Sequence, residues 1–241
     1  MKILRIGQAG LVVESDLGTK IMIDPYLSNS LFVKKGDAFR RLVPVNMNFY
    51  SYDIDILFIS HTHEDHMNFD TLDEMLLERK TITVICPTSV YEKLKPKYYN
   101  HNFILFNPGV EISLGDVLCK AIYAEHEDVD AVGICMTLED RTVYITGDTL
   151  YTSKIFDFIN EKIDVLITCI NGAGNNMNCV DAARLTNRLK PIIAIPYHYD
   201  MFEKYGEDPC NYSMLVGEDT KVLILDNYKI FEFNKGWKSE G

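Results

Sequence analysis

Three histidines and two acidic residues occupy one short segment, His61-Thr-His-Glu-Asp-His66, directly after an apolar run. Neutral imidazole nitrogens and carboxylate oxygens are ligands that zinc, manganese and iron all accept. In an extended segment alternate residues project to one side, so His61 and His63 can share an ion. Asp65 and His66 are adjacent and point in different directions. The spacing therefore favours two neighbouring metal ions over a solvated polar loop at a strand end.

A single loop cannot complete two coordination spheres, and only three histidines lie outside it. His126 and His198 each end an apolar strand-like run, the position expected of a ligand that projects into a site at a sheet edge. His101 lies in a polar stretch and is predicted to be a surface residue. Asp148 follows Gly147 at another strand end, where glycine permits an abrupt turn. Asp148 is explained equally well as a metal ligand and as an aspartate in a hairpin turn.

The composition predicts a well-cored soluble protein with residues 1–241 in a single domain, since 47% of the 241 residues are hydrophobic. The formal net charge of -11 argues against nucleic acid as the main partner, because phosphate binding needs a basic face. No apolar run approaches the roughly 20 residues of a membrane helix, and the N-terminus lacks a secretory signal pattern. Six cysteines without a C-x-x-C pair favour buried thiols in a reducing cytoplasm over a disulfide framework.

Strand patterns dominate the chain, and helices follow several of them. The segment 25–53 is predicted to be a long loop, and such loops in compact domains are usually functional. A helix is predicted over 69–80 with Asp70 as its N-cap. Further helices are predicted near 153–161, 180–189 and 209–216. The alternation predicts two packed sheets with helices outside them.

The motif order of the chain resembles that of the metallo-β-lactamase superfamily. His61-x-His63-x-Asp65-His66 is followed by a lone histidine, by Gly147-Asp148 and by a histidine after a late strand. The resemblance covers nearly the whole chain. It implies an α/β fold, an αββα four-layer sandwich of two mixed sheets with helices outside and the site in a cleft at the sheet edges.

The resemblance also implies two divalent ions, zinc or manganese in preference to iron, with defined ligands. His61, His63 and His126 would hold the first ion; Asp65, His66 and His198 would hold the second; and Asp148 would bridge both. Glu64 matches no ligand position and is interpreted as a local electrostatic group. Asp24 resembles an aspartate near the site of related hydrolases, and a turn aspartate before Pro25 fits it equally.

A narrower resemblance lies in the C-terminal third, above all in Pro196-Tyr-His-Tyr-Asp-Met-Phe202. This part is similar to the branch that contains the L-ascorbate-6-phosphate lactonases and related metal-dependent hydrolases. After Asn171-Gly172, however, the segment is shorter than in the lactonases and lacks their arginine. This departure weakens the case for a phosphorylated sugar substrate more than the case for the branch.

The implied activity is attack by a metal-bridged hydroxide on a small carbonyl ester or lactone, with L-ascorbate 6-phosphate as an example. Asp65 would orient the hydroxide and carry a proton to the leaving group. The alternatives are a phosphodiesterase acting on a small phosphodiester or RNA, a non-enzymatic sensing or binding module, and an iron-based redox protein. The implied partner is a small molecule, and homo-oligomers are known among related lactonases.

Substrate contacts are expected from residues that flank the predicted ligands. These candidates are Asn171, Asn176, Tyr199 and Asp200. Asn171 could equally cap the turn at its strand end. A basic cluster in the long loop could clamp a phosphate, but solvated surface is the preferred interpretation because charge runs usually face water. Its members are Lys34, Lys35, Arg40 and Arg41.

Overall fold

The computed structural model describes residues 1–233, in which fourteen strands form two seven-stranded mixed sheets. The first sheet begins with β1 (Lys2–Gly7), β2 (Gly10–Glu14), β3 (Lys20–Ile23), β4 (Ile56–Phe58), β5 (Thr83–Cys86) and β6 (Asn102–Leu105). The second contains β7 (Glu111–Leu114), β8 (Val117–Tyr123), β9 (Val132–Leu138), β10 (Arg141–Ile145), β11 (Val165–Cys169), β12 (Ile193–Tyr197) and β13 (Lys221–Val222). The last strand, β14 (Ile230–Glu232), returns to the first sheet beside β1.

Strand direction places several chain turns at one edge of each sheet. β1, β2 and β3 form an antiparallel meander, whereas β3 to β6 run parallel. In the second sheet β8 and β10 both run antiparallel to β9, and β10 to β13 run parallel to one another. The C-terminal ends of β8, β10 and β12 therefore meet at the same edge.

The main core lies between the two sheets. It joins Phe58 and Ile85 of the first sheet to Ile134 and Ile167 of the second, all with at most 1% of their surface exposed. Burial of such side chains stabilises the fold by about 1.5–3 kcal/mol each. The described helices are α1 (Ser30–Lys35), α2 (Phe69–Leu76), α3 (Thr88–Leu94), α4 (Cys179–Leu189) and α5 (Pro209–Ser213).

Helices cover both sheets and complete the layered arrangement. Leu72 of α2 and Val90 of α3 pack in a second apolar cluster with Leu57 and Val84 of the first sheet. Leu185 of α4 is buried with the second sheet. The predicted α/β class with two mixed sheets is thus confirmed. No helix in the described part of the chain is long and apolar enough to cross a membrane.

Several predicted element boundaries were wrong. α2 begins after Asn68, whose side chain accepts a hydrogen bond from the Thr71 amide at 2.9 Å, so Asn68 rather than Asp70 is the N-cap. α1 lies inside the predicted loop 25–53, α3 was not predicted, and the predicted helix at 153–161 is a 3-10 turn over Ser153–Asp157.

His101 is buried, and its predicted surface location was wrong. Only 2% of its surface is exposed. Its Nδ1 accepts a hydrogen bond from the Ile82 amide at 3.2 Å. Its Nε2 is the donor in a 2.9 Å contact with the Leu76 carbonyl oxygen. Both backbone groups flank the end of α2 and lack partners within a helix or sheet there, so the imidazole satisfies them. All six cysteines are free thiols, as predicted, and all except Cys210 are buried. Cys210 is exposed at the start of α5, so its predicted burial was wrong.

Candidate metal centre

The candidate site is built from chain turns at the joint edge of the two sheets. The segment His61–His66 follows β4 of the first sheet. His126, Asp148 and His198 follow β8, β10 and β12 of the second sheet. Parallel alignment of these three strands brings side chains that are far apart in sequence to one place.

His61, His63, His126 and Asp148 form the first cluster. Each offers one nitrogen or oxygen atom, and these atoms all lie within 4.8 Å of one another. His126 Nε2 lies 3.2 Å from His63 Nδ1. His61 is fully buried, and His126 and His63 are half-buried. The spacing is that of side chains arranged around a common ligand.

Asp65, His66 and His198 form the second cluster, in which the ligand atoms again lie within 4.8 Å of one another. The Nε2 atoms of His66 and His198 are 3.2 Å apart. Asp148 Oδ2 lies 3.3 Å from His66 Nε2 and 3.4 Å from His198 Nε2. Asp148 therefore contacts the second cluster while belonging to the first.

The donor atoms of both clusters fit divalent cations. His61 Nε2 and Asp148 Oδ1 are buried and have no hydrogen-bond partner. Leaving a buried polar atom unpaired costs about 1–3 kcal/mol, and a cation between the ligand atoms would satisfy both. The set contains imidazole and carboxylate and no thiolate, which suits zinc or manganese.

Two imidazoles of the first cluster, those of His61 and His126, favour the neutral form because their pKa values are lowered. Burial, together with the neighbouring His66, lowers the pKa of His61 well below its usual value. Burial also lowers the pKa of His126. Neutral imidazole is the form that binds metal ions.

The second cluster has the opposite electrostatics. Although burial opposes the charged imidazolium, the carboxylates of Asp148 and Asp65 raise the pKa of His198 to about 9. The same carboxylates and Asp24 hold the pKa of His66 well above its usual value against the effect of burial. In turn, although burial opposes ionisation, the two imidazoles hold the pKa of Asp65 and Asp148 far below the usual range. With no cation bound, the carboxylates of this cluster therefore favour protonation of its imidazoles.

Asp24 lies directly behind the second cluster. Its side chain is 1% exposed and accepts from the Ser60 amide at 2.8 Å and the Ser60 hydroxyl at 2.5 Å. Its Oδ2 lies 2.8 Å from His66 Nδ1. A carboxylate on Nδ1 fixes the ring so that Nε2 points to the cluster, the usual support of a metal-binding histidine.

Gln8 is a site residue that the sequence analysis missed. It lies in the β1–β2 turn with a left-handed backbone (φ 49°) and is 3% exposed. Its Nε2 donates to Asp65 Oδ2 at 2.7 Å and lies 3.3 Å from His198 Nε2. Two flanking glycines, Gly7 and Gly10, were the only local signal that this turn approaches other backbone closely.

The predicted substrate contacts divide into two pairs. Asn171 and Asn176 line the cavity beside the clusters, and Asn176 Nδ2 donates to Asp148 Oδ2 at 2.9 Å. Tyr199 and Asp200 are not among the residues that line the cavity, and their substrate contact stays a prediction. Arg5, 1% exposed, pairs with Asp200 at 2.5 Å and stacks on the Tyr199 ring at 4.4 Å. These two side chains satisfy a buried guanidinium instead.

A cavity of about 440 Å³ gives access to both clusters. His63, Asp65, Asp148 and His198 line it, so both ligand sets face a common space large enough for a small molecule. Glu64 lies at its edge and pairs with Lys34 at 2.7 Å and with Lys35 at 3.4 Å.

The basic cluster of the long loop is only partly solvated surface. Lys34 and Lys35 are about half exposed, and Arg40 is exposed and pairs with Asp37 at 2.5 Å. Arg41 is different, because its guanidinium turns inward and donates to the Tyr26 carbonyl oxygen at 2.6 Å. Each of the four side chains already pairs with a carboxylate or a backbone carbonyl oxygen, so none of them is available to bind a phosphate.

Known proteins resemble this chain over most of its length. A model of the β-lactamase superfamily domain matches residues 19–199. A UPF0173 metal-dependent hydrolase of Pyrococcus furiosus is 29% identical over 237 residues, covering 93% of this chain and 96% of the relative. A UPF0173 metal-dependent hydrolase of Methanobrevibacter smithii is 27% identical over 251 residues, covering 97% and 98%.

Solved structures show the same fold. Igni18, a metallo hydrolase from Ignicoccus hospitalis, has a TM-score of 0.76 and 24% identity, with 97% of this chain and 99% of that chain covered. An isothiocyanate hydrolase from Delia radicum gut bacteria has a TM-score of 0.77 and 20% identity, with 98% and 100% covered. Sequence family and fold agree. The chain therefore belongs to the metallo-β-lactamase superfamily.

Proposed function

We propose that residues 1–241 form a single catalytic domain that binds two divalent cations and hydrolyses a small carbonyl ester or lactone. The position of Asp148 supports this proposal most directly. It is grouped with three imidazoles of the first cluster, and its Oδ2 is within 3.4 Å of both Nε2 atoms of the second. A carboxylate shared in this way is suited to holding two ions close together.

The proposed ligands follow the two clusters. His61, His63 and His126 hold the first ion, Asp65, His66 and His198 hold the second, and Asp148 contacts both. Two divalent cations bound there, zinc or manganese, would lower the pKa of water to roughly 7 and polarise the oxygen of an electrophile. The ligand side chains fix the position of this chemistry at the end of the cavity.

Asp65 is the proposed catalytic acid and base. Its side chain is 21% exposed and lines the cavity, so it reaches both the second cluster and a bound molecule. Gln8 holds one of its oxygens by a 2.7 Å hydrogen bond. So oriented, Asp65 would direct the attacking water and return a proton to the leaving group.

Charge supports carbonyl over phosphorus chemistry. Within the described residues, Lys35 is the only lysine or arginine that lines the cavity, and it pairs with Glu64 at 3.4 Å. A phosphorylated sugar lactone would carry its phosphate away from the reacting carbonyl, where an unpaired lysine or arginine would be the expected partner. The net charge of -11 also disfavours RNA.

A substrate panel tests the proposal. Protein stripped with a chelator and reloaded with zinc or manganese should hydrolyse esters or lactones such as p-nitrophenyl acetate and γ-butyrolactone, and stripped protein should not. The ion content should be two per chain. Turnover of bis-p-nitrophenyl phosphate with no turnover of any ester or lactone would replace the proposal by the phosphodiesterase alternative.

A further inference from the structure

Three aromatic side chains line the cavity beside the metal-ligand clusters: Phe39, Phe202 and Tyr205. The ring centroid of Phe39 lies 5.4 Å from that of Phe202 and 5.3 Å from that of Tyr205. These separations are those of favourable aromatic pairs, so the rings form one continuous surface. We call these three residues the aromatic wall.

The aromatic wall is built by two chain segments that are remote in sequence. Phe39 ends a 3-10 turn after α1, and Phe202 and Tyr205 follow His198. A hydrogen bond from the Leu42 amide to the Met201 carbonyl oxygen, 2.8 Å long, joins the two segments. Phe202 is 4% exposed and also packs on the Tyr26 ring at 6.1 Å. Packing and backbone hydrogen bonds thus fix the aromatic wall before any ligand arrives.

Few charged groups other than the ligand side chains line the cavity. Within the described residues these are Lys35 and Glu64, which pair at 3.4 Å at its edge, and the Lys35 Nζ lies 5.4 Å from the Phe39 ring centroid. The uncharged amides of Asn171 and Asn176 also line the cavity. A bound molecule would therefore meet the ligand clusters at one side, the Lys35–Glu64 pair at the edge, and uncharged or aromatic groups elsewhere.

Resting on the proposed function, we infer that the substrate is an ester or lactone with a planar apolar substituent that packs on the aromatic wall. Phe39 and Tyr205, the two partly exposed rings, then determine specificity, and the buried Phe202 supports them. The reacting carbonyl lies at the ligand clusters, and the substituent lies against the rings. A phosphorylated, polyhydroxylated lactone would place charge and hydroxyl groups on an apolar surface and lose their hydration without compensation.

A matched set of lactones tests this inference. γ-Butyrolactone and γ-phenyl-γ-butyrolactone differ only by the phenyl group, and L-ascorbate 6-phosphate supplies a charged, hydroxylated counterpart. We expect the phenyl lactone to have a kcat/KM about ten-fold or more above that of γ-butyrolactone, through a lower KM, because burying an aromatic group gains that order of free energy. L-Ascorbate 6-phosphate should be the poorest of the three.

Variants of the aromatic wall should remove this preference selectively. Phe39→Ala and Tyr205→Ala should lower kcat/KM for the phenyl lactone about five- to ten-fold and leave that for γ-butyrolactone within about two-fold. Tyr205→Phe should retain the preference, and Phe103→Ala, on strand β6 away from the cavity lining, is the matched control. If an alanine variant fails to fold, Phe39→Leu, which removes the ring and keeps an apolar side chain, replaces it.

Binding to the metal-free protein provides a readout independent of catalysis. Saturation-transfer NMR should detect γ-phenyl-γ-butyrolactone on metal-free protein and show a weaker signal with Phe39→Ala. Equal kcat/KM for both lactones, or a preference for L-ascorbate 6-phosphate, would overturn the inference and leave the proposed function intact. Absence of all ester and lactone turnover in the metal-loaded protein would instead overturn the proposed function.

Discussion

The two ligand clusters contain similar residues and differ in how they are stabilised without cations. In the first cluster the imidazole of His61 is neutral and its buried Nε2 has no hydrogen-bond partner. In the second, His66 and His198 have raised pKa values and lie within 3.7 Å of carboxylate oxygens of Asp65 and Asp148. The first cluster thus contains two buried ligand atoms without partners, His61 Nε2 and Asp148 Oδ1, whereas the second is joined by close contacts between imidazoles and carboxylates.

This difference predicts that the clusters acquire cations differently. The first cluster gains partners for unsatisfied atoms when a cation binds, with little proton exchange. A cation at the second must displace protons from His66 and His198, since a ligand imidazole has to be neutral. We therefore expect the first cluster to bind metal over a wider pH range than the second.

Removal of Asp148 should have the largest effect because this carboxylate contacts both clusters. We expect Asp148→Ala to lose both ions and to reduce kcat/KM by about 1,000-fold or more, as loss of metal-assisted chemistry removes several kcal/mol of barrier lowering. Asp164→Ala is the control, because Asp164 accepts from the Thr142 amide at the opposite end of β10. Metal content by elemental analysis measures the effect, and two retained ions in Asp148→Ala would contradict the shared role.

Single histidine substitutions should separate the clusters. His61→Ala and His66→Ala should each reduce metal content from two ions to one. The ion left in His66→Ala should persist at pH 6, whereas the ion left in His61→Ala should be lost there because protons compete for His198. Metal content after dialysis at pH 6 and pH 8 makes the comparison.

His101→Ala provides the control for those two variants. It should keep two ions and lower the free energy of unfolding by about 1–3 kcal/mol, because it leaves the buried Ile82 amide without its partner. The same pH sensitivity in both ligand variants would remove the distinction between the clusters.

Asp24→Asn should weaken the second cluster more than the first. The carboxylate that contacts His66 directly becomes a neutral amide, and loss of such support typically costs 10- to 100-fold in metal affinity. Asp24 reaches His61 only through the Ser60 hydroxyl, which lies 2.9 Å from His61 Nδ1, so the first cluster should lose less affinity. Competition with a chelator dye measures both ions, and equal weakening at both sites would contradict a direct role of Asp24 at His66.

The stability of the metal-free protein should depend on pH in a way that metal binding reverses. The pKa of His198 is raised from 6.5 to about 9 in the folded state. Its contribution to the free energy of unfolding is therefore complete below about pH 6.5 and is lost as the pH rises through about 9. Urea unfolding with a chelator present should show a decline of a few kcal/mol at most over that window. With saturating zinc the free energy of unfolding should instead rise with pH from 6 to 8. A metal-free protein that is equally stable at pH 6.5 and 9 would contradict the ion pairs.

Part of the two ligand clusters and of the fold could be predicted from sequence, and part could not. The segment His61–His66 carries its ligand chemistry locally, and the apolar runs before His126 and His198 marked strand ends, where ligands were expected. The position of Asp148 left its role open. Its bridging role, the division of the ligands between two ions and the layered sandwich followed from the resemblance to the superfamily.

The site features that could not be predicted from sequence depend on contacts between segments that are far apart in the chain. Gln8 has no ligand chemistry of its own, and only the approach of the β1–β2 turn to Asp65 gives it a role. The aromatic wall joins Phe39 to Phe202, which no spacing rule connects. His101 was misplaced for a similar reason, because its polar neighbours suggested solvent whereas the backbone groups at Leu76 and Ile82 required a buried partner.

A stepwise zinc titration of metal-free protein tests the central claim most directly. Bound zinc, released protons and lactone turnover are measured on the same samples at pH 7. We expect two equivalents of zinc per chain: the first with little proton release and little turnover, the second with release of about two protons and the onset of full turnover. Saturation at a single equivalent, or full turnover after the first, would contradict a hydrolase that depends on both clusters.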